Sequence, residues 1–193
     1  MMRIITGTAR GVKLTTLPGE EQTRPTAERV KEAIFSAIQF DVEGRRVLDL
    51  FGGSGQMGLE ALSRGAASAM FVDASEEAIA VIKENARKTR LFEKGRYLIS
   101  DYRNYLRKAR GRDGYDLVFL DPPYAMKEAI PDALSRLLEG ELVSPHCLFV
   151  CESDRPDLFE GREALAARFL TKKTARYTKT YIHILTLKED APT

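Results

Sequence analysis

The chain has 193 residues, and its 30 lysines and arginines against 28 aspartates and glutamates give a formal net charge of +2. This length suits one α/β domain with a short appendage, and a hydrophobic content of 44% excludes wholesale disorder. The small net charge does not by itself predict a polyanionic partner. No apolar run approaches the ~20 residues that span a bilayer, and residues 1–7 turn polar too early for a signal peptide, so a cytoplasmic location without membrane contact is expected.

Residues 1–44 predict an appendage to the main domain. Residues 3–17 hold two β-branched runs and two glycines, which is typical of a small hairpin. A helix is predicted over Thr26–Gln39, where apolar side chains recur at helical spacing, at Val30, Ala33, Ile34, Ala37 and Ile38. One apolar stripe without a second layer forms no core, so we expect this hairpin and helix to pack on the domain formed by residues 45–193, near its ligand-binding edge.

From residue 45 onward, short apolar runs alternate with amphipathic segments. The runs predict five strands, at Arg46–Phe51, Ser68–Val72, Arg96–Ser100, Tyr115–Leu120 and His146–Glu152. The segments between them predict helices, at Ser54–Arg64, Glu76–Thr89, Tyr102–Ala109 and Pro131–Glu139. This alternation indicates a parallel α/β sheet with helices on both faces. Two β-rich runs, Phe169–Tyr177 and Thr180–Leu187, predict a closing antiparallel hairpin.

The two cysteines, Cys147 and Cys151, lie in one predicted strand. Four residues along a strand span about 13 Å, which is beyond disulfide reach, so two buried thiols are expected. His146 and His183 are isolated, and no cysteine or histidine cluster has metal-ligand spacing. No metal site is therefore predicted.

Four aspartates stand at the carboxyl ends of four successive predicted strands: Asp49, Asp73, Asp101 and Asp121. These ends share one edge of a parallel sheet, where ligands bind. Capping of the following helix explains any one of them. Four clustered carboxylates cost Coulomb energy unless a ligand or hydrogen-bond donors compensate, so the set predicts a ligand site.

A glycine-rich loop follows the first strand. Gly53, Gly55 and Gly58 match the G-x-G-x-x-G spacing, which permits a tight turn and close approach to a ligand, and Asp73 is placed to bind ribose hydroxyls. The loop alone allows either a nicotinamide-linked oxidoreductase or an S-adenosylmethionine site. Asp49 favours the second, because its charge would repel a pyrophosphate but tolerates the ammonium of a methionine group.

The fourth strand ends in Asp121-Pro122-Pro123-Tyr124. The Asp121 carboxylate and the Pro122 carbonyl can each accept an N–H of an exocyclic amine, which favours a pyramidal nitrogen with its lone pair aimed at a methyl donor. The prolines fix φ at about −65° and so position both acceptors in advance. Tyr124 offers a face on which an extruded base can stack. Methyl transfer to a nucleobase amine is predicted, with Asp121, Pro122 and Tyr124 as catalytic residues.

The glycine loop and the D-P-P-Y sequence together resemble Class I S-adenosylmethionine-dependent amino-methyltransferases. Further motifs narrow the resemblance to the bacterial 16S rRNA guanine-N2 methyltransferase family (RsmD-like): RIIxG at 3–7, RGxKL at 10–14, RPT at 24–26, RVxEAIF at 29–35 and LEALSRGA at 59–66. The resemblance runs over residues 3–187. It implies a Rossmann-like, mostly parallel seven-stranded sheet in the order 3-2-1-4-5-7-6, with the last strand inserted antiparallel.

The resemblance also implies S-adenosylmethionine as the cofactor. Asp49 and the loop 52–55 would hold the methionine part, Asp73 the ribose and Asp101 the adenine amino group, while residues 121–124 would hold the target guanine. Asp73 departs from the glutamate expected there, which shortens its reach. The complete predicted cofactor-binding set is Asp49, Phe51, Gly52, Gly53, Ser54, Gly55, Asp73, Ala74, Asp101, Tyr102 and Asp121.

Basic residues are concentrated in three places: residues 1–31, 103–112 and 168–188. The first of these regions, residues 1–31, is the first choice for phosphate contact, because a hairpin beside the ligand edge could clamp an RNA backbone. The predicted substrate-binding residues are Pro123, Tyr124, Arg10, Lys13 and Arg24. The expected partner is 16S rRNA, in the small ribosomal subunit or an assembly intermediate, bound by a monomeric enzyme.

Two other functions stay open at this stage. A DNA adenine-N6 methyltransferase would use the same chemistry, but the chain has no long insertion that could serve as a DNA-recognition domain. A non-catalytic RNA-binding protein with the same fold would have no need of an intact D-P-P-Y sequence. The sequence does not identify the modified nucleotide.

Overall fold

The structure is a computed structural model that describes residues 2–18, 24–109 and 114–188, apart from the side chains of 24–27. Its seven strands are β1 Arg46–Asp49, β2 Ser68–Asp73, β3 Gly95–Ile99, β4 Tyr115–Leu120, β5 Val143–Ser153, β6 Phe169–Tyr177 and β7 Thr180–Leu187. They form one sheet in the order β3-β2-β1-β4-β5-β7-β6. Strands β1 to β5 are parallel, and β7 pairs antiparallel with both β5 and β6. The fold class and strand order expected from the sequence are confirmed.

Helices cover both faces of the sheet. Their bounds are α1 Arg24–Ala37, α2 Gln56–Ser63, α3 Glu76–Lys88, α4 Tyr102–Lys108, α5 Ala129–Glu139 and α6 Glu163–Ala166. Because side chains alternate along a strand, neighbouring residues of β1 serve opposite faces: Val47 packs with α1, α2 and α3, whereas Leu48 packs with α4 and α5. Within the described part of the chain, no helix is long and apolar enough to cross a membrane.

Several element boundaries differ from the predictions, and two short elements were not predicted. Strand β1 ends at Asp49 rather than Phe51, because the chain leaves the ladder to enter the glycine loop. Helix α5 begins two residues before Pro131, which the first helical turn accommodates because N–H groups there have no intrahelical acceptor. The short helix α6 and a 3-10 turn at Phe92–Lys94 carry too few residues to show a period. Both cysteines are buried free thiols, as expected.

The amino-terminal arm, residues 2–18, contains less regular structure than the predicted hairpin. Its two sides meet in a single antiparallel bridge between Arg3 and Lys13, supported by a 3.0 Å bond from the Ile4 N–H to the Val12 carbonyl. Ile4 and Leu14 are buried in the same cluster as Ile34 of α1. The arm therefore shares its core with the helices that cover the sheet.

A buried carboxylate fastens this arm to α2. Glu60 accepts hydrogen bonds from the backbone N–H groups of Ile5 and Thr6 at 2.8 and 3.0 Å, and from Nε of Arg64 at 2.8 Å. The buried Lys31 ammonium lies 3.8 Å from it and donates to the Arg3 carbonyl at 2.6 Å. Helix α1, helix α2 and the arm thus meet at one charged group.

Candidate active site

A cavity of about 860 Å³ opens at the carboxyl ends of the parallel strands. This volume lies within the range of small-molecule binding sites. The four aspartates singled out in the sequence all line it: Asp49, Asp73, Asp101 and Asp121. They follow the sheet order, from β3 across β2 and β1 to β4, so the cavity is a groove along the sheet edge.

The glycine loop is shaped by backbone conformation and by close packing. Gly53 and Gly55 have φ of 53° and 78°, in the left-handed region that disfavours other residues. A side chain at Gly58 would lie 2.3 Å from the Phe71 ring, so helix α2 approaches the sheet closely there. Gly55 is covered by Ile82 and does not line the cavity, so its part in the predicted cofactor-binding set is conformational.

Asp49 is the buried member of the acidic set. Its carboxylate accepts the Gly58 N–H at 3.0 Å. Burial raises the pKa of Asp49 to about 7, while the Gly58 bond lowers it and the charge of Asp73 raises it further. The carboxyl group is therefore poised between its charged and neutral forms near pH 7, and a cationic ligand beside it would favour the charged form.

Asp73 and Asp101 both shape backbone and face the cavity. Asp73 accepts the Gly53 N–H at 2.9 Å through one oxygen and the Ser75 N–H at 2.8 Å through the other. Asp101 caps α4, accepting the N–H groups of Arg103 and Asn104 through Oδ1. Capping and ligand binding are thus compatible here, because capping leaves Oδ2 of Asp101 without a hydrogen bond inside the described part of the chain.

The D-P-P-Y segment forms the wall of the cavity beyond β1. Asp121 is exposed to the cavity while Pro122 is buried. The Tyr124 side chain is half exposed, and its hydroxyl lies 2.7 Å from Oγ1 of Thr180 at the start of β7. Burial, together with the charges of nearby carboxylates, raises the pKa of Tyr124, so the phenol stays neutral. The position of the Tyr124 ring is therefore fixed both by the segment that follows β4 and by the hydrogen bond to the first residue of β7.

The remaining predicted residues divide into two groups. Six of them line the cavity: Phe51, Gly52, Ser54, Ala74, Tyr102 and Pro123. Arg10 and Lys13 are exposed on the arm and do not line it, and the side chain of Arg24 lies outside the described residues. The structure therefore brings the residues predicted to bind cofactor and base into one cavity but leaves Arg10 and Lys13 outside its lining.

Several cavity residues were not among those predicted. Glu152 lies one residue before the end of β5 and ended the predicted fifth strand, so the rule that selected the four aspartates would also have selected it. The turn 177–180 between β6 and β7 lines the cavity as well. No local pattern reveals this contact, because it depends on β7 running antiparallel beside β5.

Comparison with known proteins places this architecture in a family. The family model described as "Conserved hypothetical protein 95" matches residues 2–184. The chain belongs to this family. The YlbH protein of Bacillus subtilis is 40% identical over 156 residues, which is 80% of this chain and 83% of that protein. Ribosomal RNA small subunit methyltransferase D of Haemophilus influenzae is 33% identical, over 80% of this chain and 79% of that protein.

A solved structure agrees with this family membership. The yhhF protein of Escherichia coli superposes with a TM-score of 0.84 at 25% identity, over 98% of this chain and 99% of that one. The expectation of an RsmD-like methyltransferase with a Rossmann-like fold is confirmed. Membership in this family covers nearly the whole chain, including the arm and the D-P-P-Y segment.

Proposed function

We propose that this protein transfers a methyl group from S-adenosylmethionine to the exocyclic N2 amine of a guanine in 16S rRNA. The observation that most strongly supports this proposal is the D-P-P-Y segment, which lies next to three further aspartates in one groove at the sheet edge. Relatives named as small-subunit rRNA methyltransferases support an RNA substrate. The segment supports an amine rather than a ring carbon or a hydroxyl as the acceptor.

S-adenosylmethionine is the cofactor, and the groove offers groups that fit its parts. Along the sheet edge from β3 to β1 stand Asp101, Asp73 and Asp49. They match in turn an adenine amino group, ribose hydroxyls and a cationic methionine end. When bound, the cofactor supplies an electrophilic methyl group carried on a sulfonium.

The protein's own residues prepare the amine for reaction. The Asp121 carboxylate and the Pro122 carbonyl accept its two N–H bonds, which favours a pyramidal nitrogen and aims the lone pair. Because positive charge is dispersed during transfer from a sulfonium, orientation and exclusion of water matter more than a strong base. Asp121 therefore acts as an acceptor, and the released proton leaves to solvent.

The guanine must leave its stack to reach this groove, because structured RNA buries its base edges. The Tyr124 ring provides a stacking surface at the entrance. Exposed basic residues of the arm, Arg10 and Lys13, are proposed to contact phosphates. We further propose that the substrate is an assembled or partly assembled small subunit, in which the shape of the particle supplies much of the specificity.

A methyl-transfer assay tests the function. The enzyme is incubated with labelled S-adenosylmethionine and either naked 16S rRNA or 30S particles, and the products are digested to nucleosides and identified by mass. N2-methylguanosine is expected, with faster transfer to particles. Label in N6-methyladenosine of duplex DNA would instead support the DNA enzyme, and binding of RNA without transfer would support a non-catalytic protein.

Replacing Tyr124 should weaken base engagement more than cofactor binding. Tyr124→Ala is expected to raise KM for RNA by roughly 10- to 100-fold, since base stacking is worth about 1–3 kcal/mol. Its Kd for S-adenosylmethionine should change less than about threefold. Tyr124→Phe is the matched control: it keeps the ring, loses the bond to Thr180, and should stay near wild type. Equal losses in both variants would contradict a stacking role.

Cofactor affinity should depend on pH through Asp49. Because the pKa of this carboxyl is about 7 and a cationic ligand prefers its charged form, Kd for S-adenosylmethionine should fall by roughly tenfold between pH 6 and 8. Calorimetry across this range measures the change. Asp49→Asn should bind weakly and reveal any dependence that arises from the ligand's own ammonium. A wild-type profile no steeper than that of the variant would contradict the assignment.

A further inference from the structure

Glu152 is a carboxylate of the groove that the chemistry above does not use. Strands β4 and β5 pair in parallel with Leu120 opposite Cys151, so Asp121 and Glu152 occupy the next positions on neighbouring strands. The three aspartates that fit the cofactor lie on the other side of β4, on β1, β2 and β3. Glu152 therefore stands on the substrate side of the reacting position.

The walls around Glu152 are those expected of a base pocket. On one side is the half-exposed Tyr124 ring, whose hydroxyl bonds to Thr180. On the other side β7 pairs with β5, and Ile182 lies opposite Glu152 in the register. Thr180 and Glu152 both line the groove. Because the Glu152 charge acts on the Tyr124 phenol and both residues line the groove, a base stacked on the Tyr124 ring would lie beside Glu152.

The Glu152 carboxylate has no hydrogen-bond donor or cation paired with it in the part of the chain that the structure describes. Among the described residues it makes neither a hydrogen bond nor a salt bridge, although it is partly buried between the buried residues Cys151 and Ser153. Burial raises the pKa of Glu152 to about 6, so it is mostly ionised at pH 7.5. A partly buried charge is costly unless a partner donates to it, and a negative charge also opposes RNA phosphates. Donors from a bound base would remove both penalties.

We propose that Glu152 selects guanine by accepting its N1–H, while Asp121 and the Pro122 carbonyl hold the N2 amine. This inference rests on the proposed function and adds the residue that sets base specificity. Guanine presents N1–H beside its amine, and a carboxylate can accept it. Adenine and 2,6-diaminopurine carry a lone pair at N1, which the carboxylate repels.

A pair of RNAs that differ in one nucleotide tests this specificity. The modified position is first mapped in wild-type product, and ligated 16S rRNA with guanosine or 2,6-diaminopurine there is then prepared and reconstituted into 30S particles. Both bases carry a 2-amino group, but the second lacks N1–H. Wild-type enzyme should prefer guanosine by roughly 10- to 100-fold in kcat/KM, the range expected for a hydrogen bond to a charged group.

Glu152→Gln should reduce this preference at least tenfold, because an amide removes the charge and can donate to the N1 lone pair. Glu152→Asp keeps the charge and should keep the preference at a lower rate. Asp154→Asn, which removes an exposed neighbouring charge outside the groove lining, should leave the preference unchanged. Calorimetry with S-adenosylmethionine should give wild-type Kd for all three variants, which shows that they are folded.

The possible results distinguish a failure of this inference from a failure of the proposed methyltransferase function. If wild type forms N2-methylguanosine but Glu152→Gln keeps the full preference, or if Glu152→Asp loses it, Glu152 does not select the base although the function stands. If wild type methylates neither RNA, or modifies a different atom, the proposed function itself is overturned. A preference that moves with Asp154→Asn as much as with Glu152→Gln would indicate a general charge effect and would also overturn the inference.

Discussion

Asp121→Ala is expected to reduce methyl transfer by roughly 10³-fold, the scale of removing one pre-positioned polar group from an active site. Without the carboxylate, only the Pro122 carbonyl accepts an N–H of the amine, so the nitrogen lone pair stays delocalised into the ring. Because Asp121 lies beyond the three aspartates that fit the cofactor, Kd for S-adenosylmethionine should change less than about threefold. Single-turnover transfer to the RNA substrate and calorimetry with the cofactor measure the two effects separately.

Asp121→Asn refines the interpretation of this loss. Its side-chain carbonyl can still accept one N–H but carries no charge, so activity should lie between those of wild type and Asp121→Ala. Asp154→Ala is the matched control, because it removes an exposed carboxylate nearby that does not line the groove. An Asp121→Ala enzyme that keeps full activity would remove the D-P-P-Y segment from the mechanism.

Local sequence patterns predicted the elements of this fold well but could not order them. Alternating apolar runs located the five parallel strands, and the break at residues 178–179 located the final hairpin. Periodicity does not state which strands pair, and the order came only from family resemblance. The 11-residue strand β5 was predicted too short, because the exposed Pro145 stands just before the predicted start at His146 and proline is rare inside strands.

The site was predictable wherever strand ends alone decide its position. One rule, that acids at the carboxyl ends of parallel strands share an edge, found Asp49, Asp73, Asp101 and Asp121. Glu152 meets the same rule, because the predicted fifth strand also ends in an acidic residue, but the predicted set covered only the first four strands. The contribution of the turn 177–180 could not be found in this way, since it requires the tertiary pairing of β7 with β5.

Charge patterns were less informative than strand-end patterns. Arg10 and Lys13 are exposed, as a basic run predicts, but exposure does not bring them to the groove. A helical or extended surface carries charges for solubility as readily as for binding. By contrast, the burial of Lys31, which the basic run 1–31 included, and of Glu60 was not predicted, because burial of a charge is set by the packing of distant segments.

That buried pair should carry a large share of the stability of the arm. Glu60→Ala is expected to lower the free energy of unfolding by about 3–5 kcal/mol, the range for breaking a buried ion pair. The substitution leaves the backbone N–H groups of Ile5 and Thr6 without their acceptor and the buried Lys31 ammonium without its nearest negative charge. Urea unfolding followed by circular dichroism measures the change.

Glu84 provides the matched control for this experiment. It also bonds to the arm, accepting from the Thr15 hydroxyl at 2.8 Å, but it lies in solvent. Glu84→Ala should therefore have a much smaller effect, because water replaces a lost exposed partner. Similar losses in the two variants would mean that burial of Glu60 adds nothing.

The double variant Lys31→Met with Glu60→Leu separates charge burial from simple packing. Replacing both charges with apolar groups of similar size removes the uncompensated ammonium, so the part of the Glu60→Ala loss caused by that charge should be recovered. The Ile5 and Thr6 N–H groups still lack their acceptor, so recovery should be incomplete. Leu17 of the arm and Val30 of α1 line the same groove as the aspartates. If Glu60→Ala also weakens S-adenosylmethionine binding and the double variant restores it, the buried pair supports the site by positioning the arm. If Glu60→Ala lowers stability but leaves the cofactor Kd unchanged, the groove forms independently of the pair.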